Sequence, residues 1–490
     1  MHLEATMSHP ADLPEPTLQT RLLHSDQLDA SKEPNYSVAP MLSLSTTFRA
    51  PHPDSELGPR MSEFATNPQD PPVHVYSRFT QSTTVRTEKV LSSLLGANAI
   101  TYASGLQAAT AMLNYFSPST IAIRRGYQGV HETIKVYARG RNVRVIDLDD
   151  ELPDNAGELA QDDSGVRIGG TVVWVETPLN PTGEARDIAK YVQRAHAKGA
   201  YVVVDSTFAP PPLQNPLDLG VDMVFHSATK YMGGHSDLLA GVIAVREKKE
   251  LVRLWHDRAV SGGTPGSLES YLLLRSLRTL PLRVNRQAGT AAQLVQWLQS
   301  LTVKEQAPAG TPEEISNGRF ISRVYHSSLQ PRNDKDPAGI SEGYDFDPTQ
   351  QMPGGNSPTF SIFLAEEAYA KYLPHYTTYF IVRILYASVH VLTTAACDLA
   401  RWCGVARGAA RLLQPTGAPE LDPPLGRSRG FRRPAGRPDR GDAQGAQARP
   451  VQLGSVRRTR CISTLDHIHR HDHVTELWVW GMGRWGKSRR

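Results

Sequence analysis

Polar side chains that could do chemistry follow two short apolar runs in the middle of the chain. The run at 201–204 is followed by an acid and two hydroxyls, and the run at 221–225 by a histidine, two hydroxyls and a lysine. In order, these residues are Asp205, Ser206, Thr207, His226, Ser227, Thr229 and Lys230. Both runs are brief, rich in β-branched residues and bounded by turn residues, which is typical of buried parallel strands. Because ligands of open α/β sheets bind beyond the carboxyl ends of the strands, the sequence predicts a site that combines a lysine amine with a carboxylate.

Pyridoxal phosphate is a cofactor that needs both groups, since its aldehyde takes a lysine amine and an acid keeps its ring nitrogen protonated. Lys230 would supply the amine and Asp205 the acid, while the hydroxyls of Ser227 and Thr229 would bind phosphate oxygens. A lone lysine after a strand is more often a solvated surface charge. Here the lysine, the hydroxyls and a Gly-Gly-His turn at 233–235 occur together, which favours the cofactor.

This segment resembles the Cys/Met-metabolism family of pyridoxal-phosphate enzymes, which includes cystathionine γ-synthases, β-lyases and γ-lyases. The matching string is Asp205-Ser-Thr-Phe, followed by His226-Ser-Ala-Thr-Lys-Tyr-Met-Gly-Gly-His. The resemblance covers residues 23 to 381. It implies the aspartate-aminotransferase-like (type I) α/β fold, with a mostly parallel seven-stranded sheet in a large domain and a smaller C-terminal α/β domain. We expect a tail and arm at 1–72, the cofactor-binding domain at 73–285, part of the small domain at 286–381, and an aberrant tail at 382–490.

Two turns resemble parts of the family's cofactor site. The turn at Gly105 and Leu106 is similar to one that binds the cofactor phosphate through backbone N–H groups, which form an anion site at a helix N-terminus. Tyr127 is similar to a tyrosine whose ring stacks on the pyridine ring and whose phenol can act as an acid or base near the substrate amine. Without the resemblance, a plain turn and a half-buried loop tyrosine would be the better interpretations.

The resemblance implies three more contacts. Asn180, within a Glu-x-Pro-x-Asn-Pro match at 176–181, would contact the cofactor's phenolic oxygen and the substrate carboxylate. Tyr76 and Arg78 would reach the cofactor phosphate of an adjacent subunit, because the planar fork of arginine suits phosphate. Thr207 is the last residue that we expect to bind the cofactor. The resemblance thus implies at least a homodimer, often a homotetramer. The family's Asn-Pro-Thr is replaced by Gln81-Ser-Thr, which leaves the subfamily open.

The elements that must position these residues alternate between strand and helix. A buried strand at 171–175 and an amphipathic helix at 187–198 precede the strand that ends at Asp205. Such alternation predicts a parallel sheet with right-handed crossovers. Further along we expect a strand at 240–245, a helix at 248–257, a long helix at 268–301 broken at Pro281, and strands at 321–329 and 358–364.

The totals exclude several other classes. The chain has 490 residues with 40% hydrophobic content, enough for more than one domain, and its net charge of +4 is too balanced to indicate nucleic acid. No apolar run reaches transmembrane length, and the N-terminus lacks the apolar core of a secretory signal. The three cysteines lie late in the chain, which makes a disulfide framework unexpected and fits a reducing compartment. We expect a cytoplasmic enzyme that acts on a small sulfur amino acid, with no membrane or nucleic-acid partner.

The character of the chain changes beyond residue 381. The family continues with a Ser-Leu-Gly-Gly-like substrate loop and an arginine that grips the substrate carboxylate, and neither is present. Residues 401–460 are dominated by Arg, Gly, Pro and Ala, a composition that predicts disorder. Four alternating histidines at 467–473 invite a metal interpretation, but we expect no metal site, and Cys397 and Cys403 match no common zinc spacing.

The family's activities leave three hypotheses open. The first is a carbon–sulfur lyase on cystathionine-like amino acids, which works by α-proton abstraction and β- or γ-elimination. The second is γ-replacement, as in a cystathionine γ-synthase or an O-acyl-homoserine sulfhydrylase, which would use the same residues. The third is a catalytically defective, cofactor-binding product of a mis-spliced gene.

A retained intron and a frameshift would explain the aberrant tail. Val382-Arg383 is codable as a fungal-type intron start (GTGCGT), Leu392-Thr393 can contain the branch string CTAAC, and Ala395-Ala396 can contain a terminal CAG. Read one frame over, 396–406 is compatible with His-Ala-Thr-Ser-Leu-Gly-Gly-Val-Glu-Ser, which resembles the missing substrate loop.

We predict that most transcripts lack this segment. Sequencing of messages across the locus should show a junction that restores the Ser-Leu-Gly-Gly frame. A message that retains the segment in most copies contradicts the hypothesis.

Overall fold

The computed structural model describes residues 15–26, 39–154, 168–303, 306–330, 346–376, 382–385 and 388–392. The α-helices are α1 (Leu18–His24), α2 (Ser82–Leu95), α3 (Gly105–Phe116), α4 (Gln128–Ala138), α5 (Ile188–His196), α6 (Lys248–Ser261), α7 (Ser267–Leu277), α8 (Leu280–Ser300), α9 (Pro348–Gln351) and α10 (Glu367–Tyr376). The strands are β1 (Asn98–Tyr102), β2 (Thr120–Ala122), β3 (Arg144–Ile146), β4 (Thr171–Glu176), β5 (Tyr201–Asp205), β6 (Met223–Ser227), β7 (Gly241–Val245), β8 (Ile321–Tyr325), β9 (Thr359–Leu364), β10 (Val382–Leu385) and β11 (Ser388–Leu392).

The first sheet has seven strands in the order β1-β7-β6-β5-β4-β2-β3. Only β7 runs antiparallel to its neighbours, so the other six strands point the same way. The predicted mostly parallel seven-stranded α/β sheet is therefore confirmed.

Alternate residues of the central strands pack into two separate cores. On β5, Val202 and Val204 join one core and Val203 joins the other, and on β4 Val173 and Trp174 divide in the same way. Because both faces of these strands are buried, their sequences are continuously apolar rather than alternating, as expected for a sheet covered by helices on both sides.

Several element boundaries differ from expectation: β8 ends at Tyr325 rather than at 329, and α6 continues to Ser261 rather than ending at 257. Two further differences have local reasons. Strand β6 begins two residues later than predicted because the carboxylate of Asp222 accepts the N–H of Val202 (2.7 Å) and holds the preceding turn. The long helix is interrupted at Arg278 and Thr279 rather than at Pro281. Pro281 lies in the first turn of α8, where a missing N–H breaks no helical hydrogen bond.

The second sheet has four antiparallel strands in the order β10-β11-β9-β8. It packs on the later turns of α8, where Leu294 and Leu298 meet Phe360 and Ile362 of β9 in a third core. Strands β10 and β11 lie within 382–490, where we expect an aberrant tail, and their β-branched composition suits strand pairing. The chain from 393 onward lies outside the described residues, so the expected tail stays a prediction.

The N-terminal helix α1 is fixed to the first sheet's helices by a buried carboxylate. Asp26 is fully buried, and it accepts hydrogen bonds from Arg86 on α2 (3.0 Å) and from Arg278 (2.7 Å). Leu22 is also fully buried in this contact. Asp26 offsets part of the positive charge of the two guanidinium groups, of which that of Arg278 is partly exposed.

No helix within the described ranges has both the length and the apolar character needed to cross a membrane.

We predict that Asp26→Ala destabilises the protein by about 3–5 kcal/mol, because it leaves two largely buried arginines without their shared carboxylate. Urea unfolding of the purified chain measures this change. Glu132→Ala, which removes an exposed partner of Lys135, is the matched control and should leave the unfolding midpoint unchanged. Equal midpoints for Asp26→Ala and the wild type would contradict the anchoring role.

Candidate active site

Lys230 lies in a tight turn directly after β6. Its N–H donates to the carbonyl oxygen of Ser227 (3.1 Å), and its own carbonyl accepts the N–H of Gly234 (2.6 Å). The N–H of Gly233 donates to the carbonyl of Ala228 (2.7 Å). These three bonds fix the backbone from which the lysine side chain extends.

Arg283 on α8 holds the far side of this turn. Its guanidinium donates to the carbonyls of Tyr231 (2.9 Å) and Met232 (3.1 Å) that follow the lysine. Burial lowers the pKa of Arg283. Gly234 has φ of 76°, and a Cβ there would lie 2.1 Å from Arg283 Nη1, so only glycine fits. The sequence reasoning missed Arg283, and the Gly-Gly pair after the lysine is the one local sign of a close approach.

A chain of hydrogen bonds connects Asp205 to the lysine turn. Asp205 Oδ1 accepts the N–H of Thr207 (3.0 Å), and Thr207 Oγ1 accepts the N–H of Ser227 (2.8 Å). Since Ser227 accepts the N–H of Lys230, the ends of β5 and β6 are fixed relative to each other. The structure thus brings together the acid and the lysine that the sequence singled out, and it gives Thr207 a connecting position between them.

The first turn of α3 lies against Ser227. A Cβ at Gly105 would be 2.9 Å from Ser227 Oγ, so the hydroxyl and the helix N-terminus are in close contact. The N–H groups of a first turn have no acceptor within the helix, and together with a hydroxyl they form an anion site. Thr229, expected beside them, instead accepts the N–H of Ala240 just before β7 (3.2 Å).

Tyr127 caps the start of α4 and lies beside the start of α3. A Cβ at Gly129 would be 2.5 Å from Tyr127 Cε1 and 3.1 Å from Leu106 Cδ2, so both side chains cover Gly129. The tyrosine is 41% exposed. An aromatic surface therefore remains accessible beside the α3 turn.

Glu176, the last residue of β4, connects the Tyr127 and Asn180 turns. Its Oε2 accepts the N–H of Tyr127 and its Oε1 accepts the N–H of Asn180, both at 2.7 Å. Ser361 on β9 donates to the carbonyl of Pro181 (2.6 Å), which ties the Asn180 turn to the second sheet. The sequence showed Glu176 within a motif but gave no sign of this double contact.

Asp205 and Glu176 are paired residues at the ends of adjacent strands. Both are buried, with exposed fractions of 5% and 6%. Burial raises the pKa of Asp205, although the side chain and backbone N–H of Thr207 oppose the shift. Burial, and then the charge of Asp205, raise the pKa of Glu176 against the backbone N–H groups of Tyr127 and Asn180. Two adjacent buried carboxyls resist ionising together unless a cation joins them.

Tyr76 and Arg78 form a separate group in this chain. The backbone of Tyr76 forms an isolated antiparallel β-bridge with Thr47. The Arg78 guanidinium lies 5.0 Å from the ring centroid of Phe79, and it donates to the carbonyl of Ala259 near the end of α6. Their expected contact with the phosphate of a neighbouring subunit stays a prediction.

The residues brought together fit pyridoxal phosphate. Lys230 is beside a hydroxyl and a helix N-terminus that suit a phosphate, and Tyr127 presents a ring face. A protonated ring nitrogen against the buried Asp205 would supply a cation that compensates its charge. No group of three or more His, Cys, Asp or Glu side chains that could hold a metal occurs in the described part of the chain, and the tail histidines lie outside it.

Comparisons with known proteins agree with this geometry. The family model for Cys/Met metabolism PLP-dependent enzymes matches residues 19–314. The chain is 33% identical over 231 residues to a cystathionine beta-lyase of Coxiella burnetii, which is 46% of this chain and 58% of the relative. It is 32% identical over 311 residues to a cystathionine gamma-synthase of Escherichia coli, which is 62% of this chain and 72% of the relative. A crystal structure of a cystathione gamma lyase from Micromonospora echinospora superposes with a TM-score of 0.61 and 26% identity, covering 81% of this chain and 99% of that one. In sequence the chain thus spans less than two thirds of the beta-lyase's length.

We predict that Asp205→Asn flattens the pH dependence of stability in the cofactor-free protein. Because folding raises the pKa of Asp205, the wild type should lose stability as the pH rises from about 4, the ordinary value for aspartic acid, towards neutrality. The amide cannot ionise, and its oxygen can still accept the N–H of Thr207. Urea midpoints measured across this range should diverge in favour of the variant as the pH rises.

The control for this experiment is Asp70→Asn, which alters a largely exposed carboxylate beside Lys89. Its midpoints should follow the wild type at every pH. Parallel curves for Asp205→Asn and the wild type would show that Asp205 is not held in an unfavourable, buried environment.

Proposed function

Because the chain belongs to the Cys/Met metabolism family of PLP-dependent enzymes, we propose that it is a carbon–sulfur lyase acting on cystathionine or a related sulfur amino acid. The observation that carries the proposal is the hydrogen-bonded chain from Asp205 through Thr207 and Ser227 to the Lys230 turn. It supports the proposal because it holds the strand end that carries the buried acid beside the turn that carries the lysine.

Bound at this site, pyridoxal phosphate supplies an electron sink for a carbanion beside the substrate amine. The chain's own residues would hold and move protons around it. The amine of Lys230 would take the substrate's α-proton, because its turn follows the strand end beyond which the cofactor would lie. Asp205 would keep the ring nitrogen protonated, and burial strengthens that contact because it excludes water.

The remaining residues would orient the cofactor and the substrate. Gly105, Leu106 and Ser227 would bind the phosphate through the first-turn N–H groups of α3 and the serine hydroxyl. Tyr127 would lie against the ring, and Asn180 would bind the substrate carboxylate. Thr229, whose hydroxyl accepts the N–H of Ala240, would add a further phosphate contact.

Replacement at the γ-carbon is the second candidate function. It is supported by the gamma-synthase relative, of which the chain covers a larger share than of the beta-lyase. The same Lys230 and Asp205 chemistry would serve both reactions, since each starts with removal of the α-proton. We also propose a cytoplasmic homodimer or homotetramer in which Tyr76 and Arg78 complete the neighbour's site, and a division into cofactor-binding and smaller C-terminal domains.

We predict that the full chain becomes coloured when incubated with pyridoxal phosphate, and that borohydride reduction tags Lys230 in peptide maps. Lys230→Ala should abolish the tag and reduce any turnover by roughly 100- to 10,000-fold, because the proton-transfer group is removed. The exposed Lys135→Ala is the matched control and should behave as the wild type. A colourless, untagged wild type would contradict the proposal.

Product analysis on the chain as written and on the frame-corrected chain separates the candidate functions. Release of pyruvate or 2-oxobutyrate from cystathionine supports the lyase. Product that forms only from an activated homoserine with a thiol acceptor supports replacement. Cofactor binding without turnover in the chain as written, together with turnover in the corrected chain, supports the mis-spliced product.

A further inference from the structure

The carboxylate of Glu176 is the point at which two loops of the candidate site meet. One oxygen accepts the backbone N–H of Tyr127 and the other accepts that of Asn180, each at 2.7 Å. Both oxygens are thus used on loops that enter from different parts of the chain, one before α4 and one after β4. Glu176 itself is 6% exposed and lies at the end of a central strand, where the backbone is rigid.

We infer that Glu176 is a positioning residue that fixes the separation between the Tyr127 and Asn180 turns, and so sets the space in which the cofactor ring and the substrate carboxylate would lie. The inferred effect on substrate binding rests on the proposed function. The paired contacts of Glu176 with the Tyr127 and Asn180 turns, called the clamp below, are a property of the folded chain and can be tested without cofactor.

Gly126 shows how closely the Tyr127 turn is drawn onto this carboxylate. Its φ is 93°, and a Cβ built there would lie 2.4 Å from Glu176 Oε2. The close approach therefore requires a residue without a side chain immediately before Tyr127. A turn that made no contact with this carboxylate would have room for a side chain at position 126.

The geometry of the contact favours a carboxyl group over any other side chain. Two N–H donors point at two separate oxygens, and only a carboxylate offers an acceptor at both positions. A glutamine keeps one acceptor and opposes the other N–H with its own amide hydrogens. An aspartate keeps the carboxyl group but is one methylene shorter, so it cannot reach both turns from the same backbone position.

The end of β4 does not depend on this carboxylate for its own position. The N–H of Thr177 donates to the carbonyl of Asp205 (3.1 Å), and the carbonyl of Thr177 accepts from the side chain of Gln214 (3.1 Å). The strand end should therefore remain in place when Glu176 is replaced, while the two turns lose their common acceptor. This separation allows a positioning role to be distinguished from a general structural one.

Replacing Glu176 by glutamine changes the turn contacts more than the charge beside Asp205. Burial and the charge of Asp205 raise the pKa of Glu176 to about 8, so the neutral amide of Glu176→Gln stands where a carboxyl is already largely protonated at neutral pH. A loss of substrate affinity in this variant would therefore come from the loosened turns rather than from Asp205.

The first experiment is amide hydrogen exchange on the cofactor-free protein. In Glu176→Gln and Glu176→Ala, the amides of Tyr127 and Asn180 should exchange about 10- to 100-fold faster, which is the range expected when a buried donor loses its acceptor. Amides of β4 and β5 should keep their protection. Unchanged exchange at both turns would overturn the inference, whatever the outcome for cofactor binding.

A double-mutant cycle with Gly126 provides a second, independent measurement. Gly126→Ala should lower the unfolding midpoint strongly in the wild type, where the new methyl group meets Glu176. It should lower the midpoint less in Glu176→Ala, where only the positive φ remains unfavourable. Equal effects in the two backgrounds would show that the turn is not held against the carboxylate.

The cofactor-loaded enzyme gives the functional readout. Glu176→Gln should raise KM more than it lowers kcat, and Glu176→Asp should recover only part of the loss because it cannot reach both turns. Glu132→Gln, on the exposed face of α4, is the control and should match the wild type. An unchanged KM in a variant with fast-exchanging turns would show that the clamp does not set the substrate space. Failure of the wild type to bind cofactor would refute the proposed function. The exchange result would still decide whether Glu176 holds the two turns.

Discussion

Two carboxylates buried side by side are the constraint on which the site depends. Asp205 and Glu176 end adjacent parallel strands, so the register of the sheet forces their side chains into one small volume. A buried acid needs hydrogen-bond partners, and each of these two carboxyl groups accepts hydrogen bonds from backbone N–H groups. Asp205 thereby fixes the turn at Thr207, and Glu176 fixes the turns at Tyr127 and Asn180. The positions of these three turns, and with them the shape of the site, follow from the hydrogen bonds that the chain donates to the two buried acids.

The sequence predicts the sheet and the polar strand ends because both are local properties. Apolar β-branched runs form buried strands, and the residues that follow them must lie at one edge of a parallel sheet. The contacts of Arg283 and Ser361 could not be predicted in this way, since each joins segments far apart in the chain. Thr229 shows another contact of this kind. Its hydroxyl accepts the N–H of Ala240, which the motif did not indicate, and its expected phosphate contact stays a prediction.

The second sheet contributes directly to the walls of the site through β9. Thr359 is hydrogen-bonded to the phenol of Tyr231, the residue after the lysine (2.8 Å), and Ser361 holds the Asn180 turn. Ser357, just before β9, donates to the carbonyl of Phe208 (2.8 Å). Three separate segments of the first sheet's edge are thus fixed by one strand. Strand β11 pairs with β9 on its outer side, so the residues from 388 to 392 support the strand that supports the site.

The insertion of β7 between β1 and β6 makes the contact between the α3 turn and Ser227 depend on a pairing of long sequence separation. Strand β1 pairs with the sheet through β7, and its first residue Asn98 lies opposite Val245. Pairings of such long sequence separation form slowly in general, because a large loop must close before any contact is gained. We therefore expect the contact between α3 and Ser227 to depend on a pairing that forms slowly.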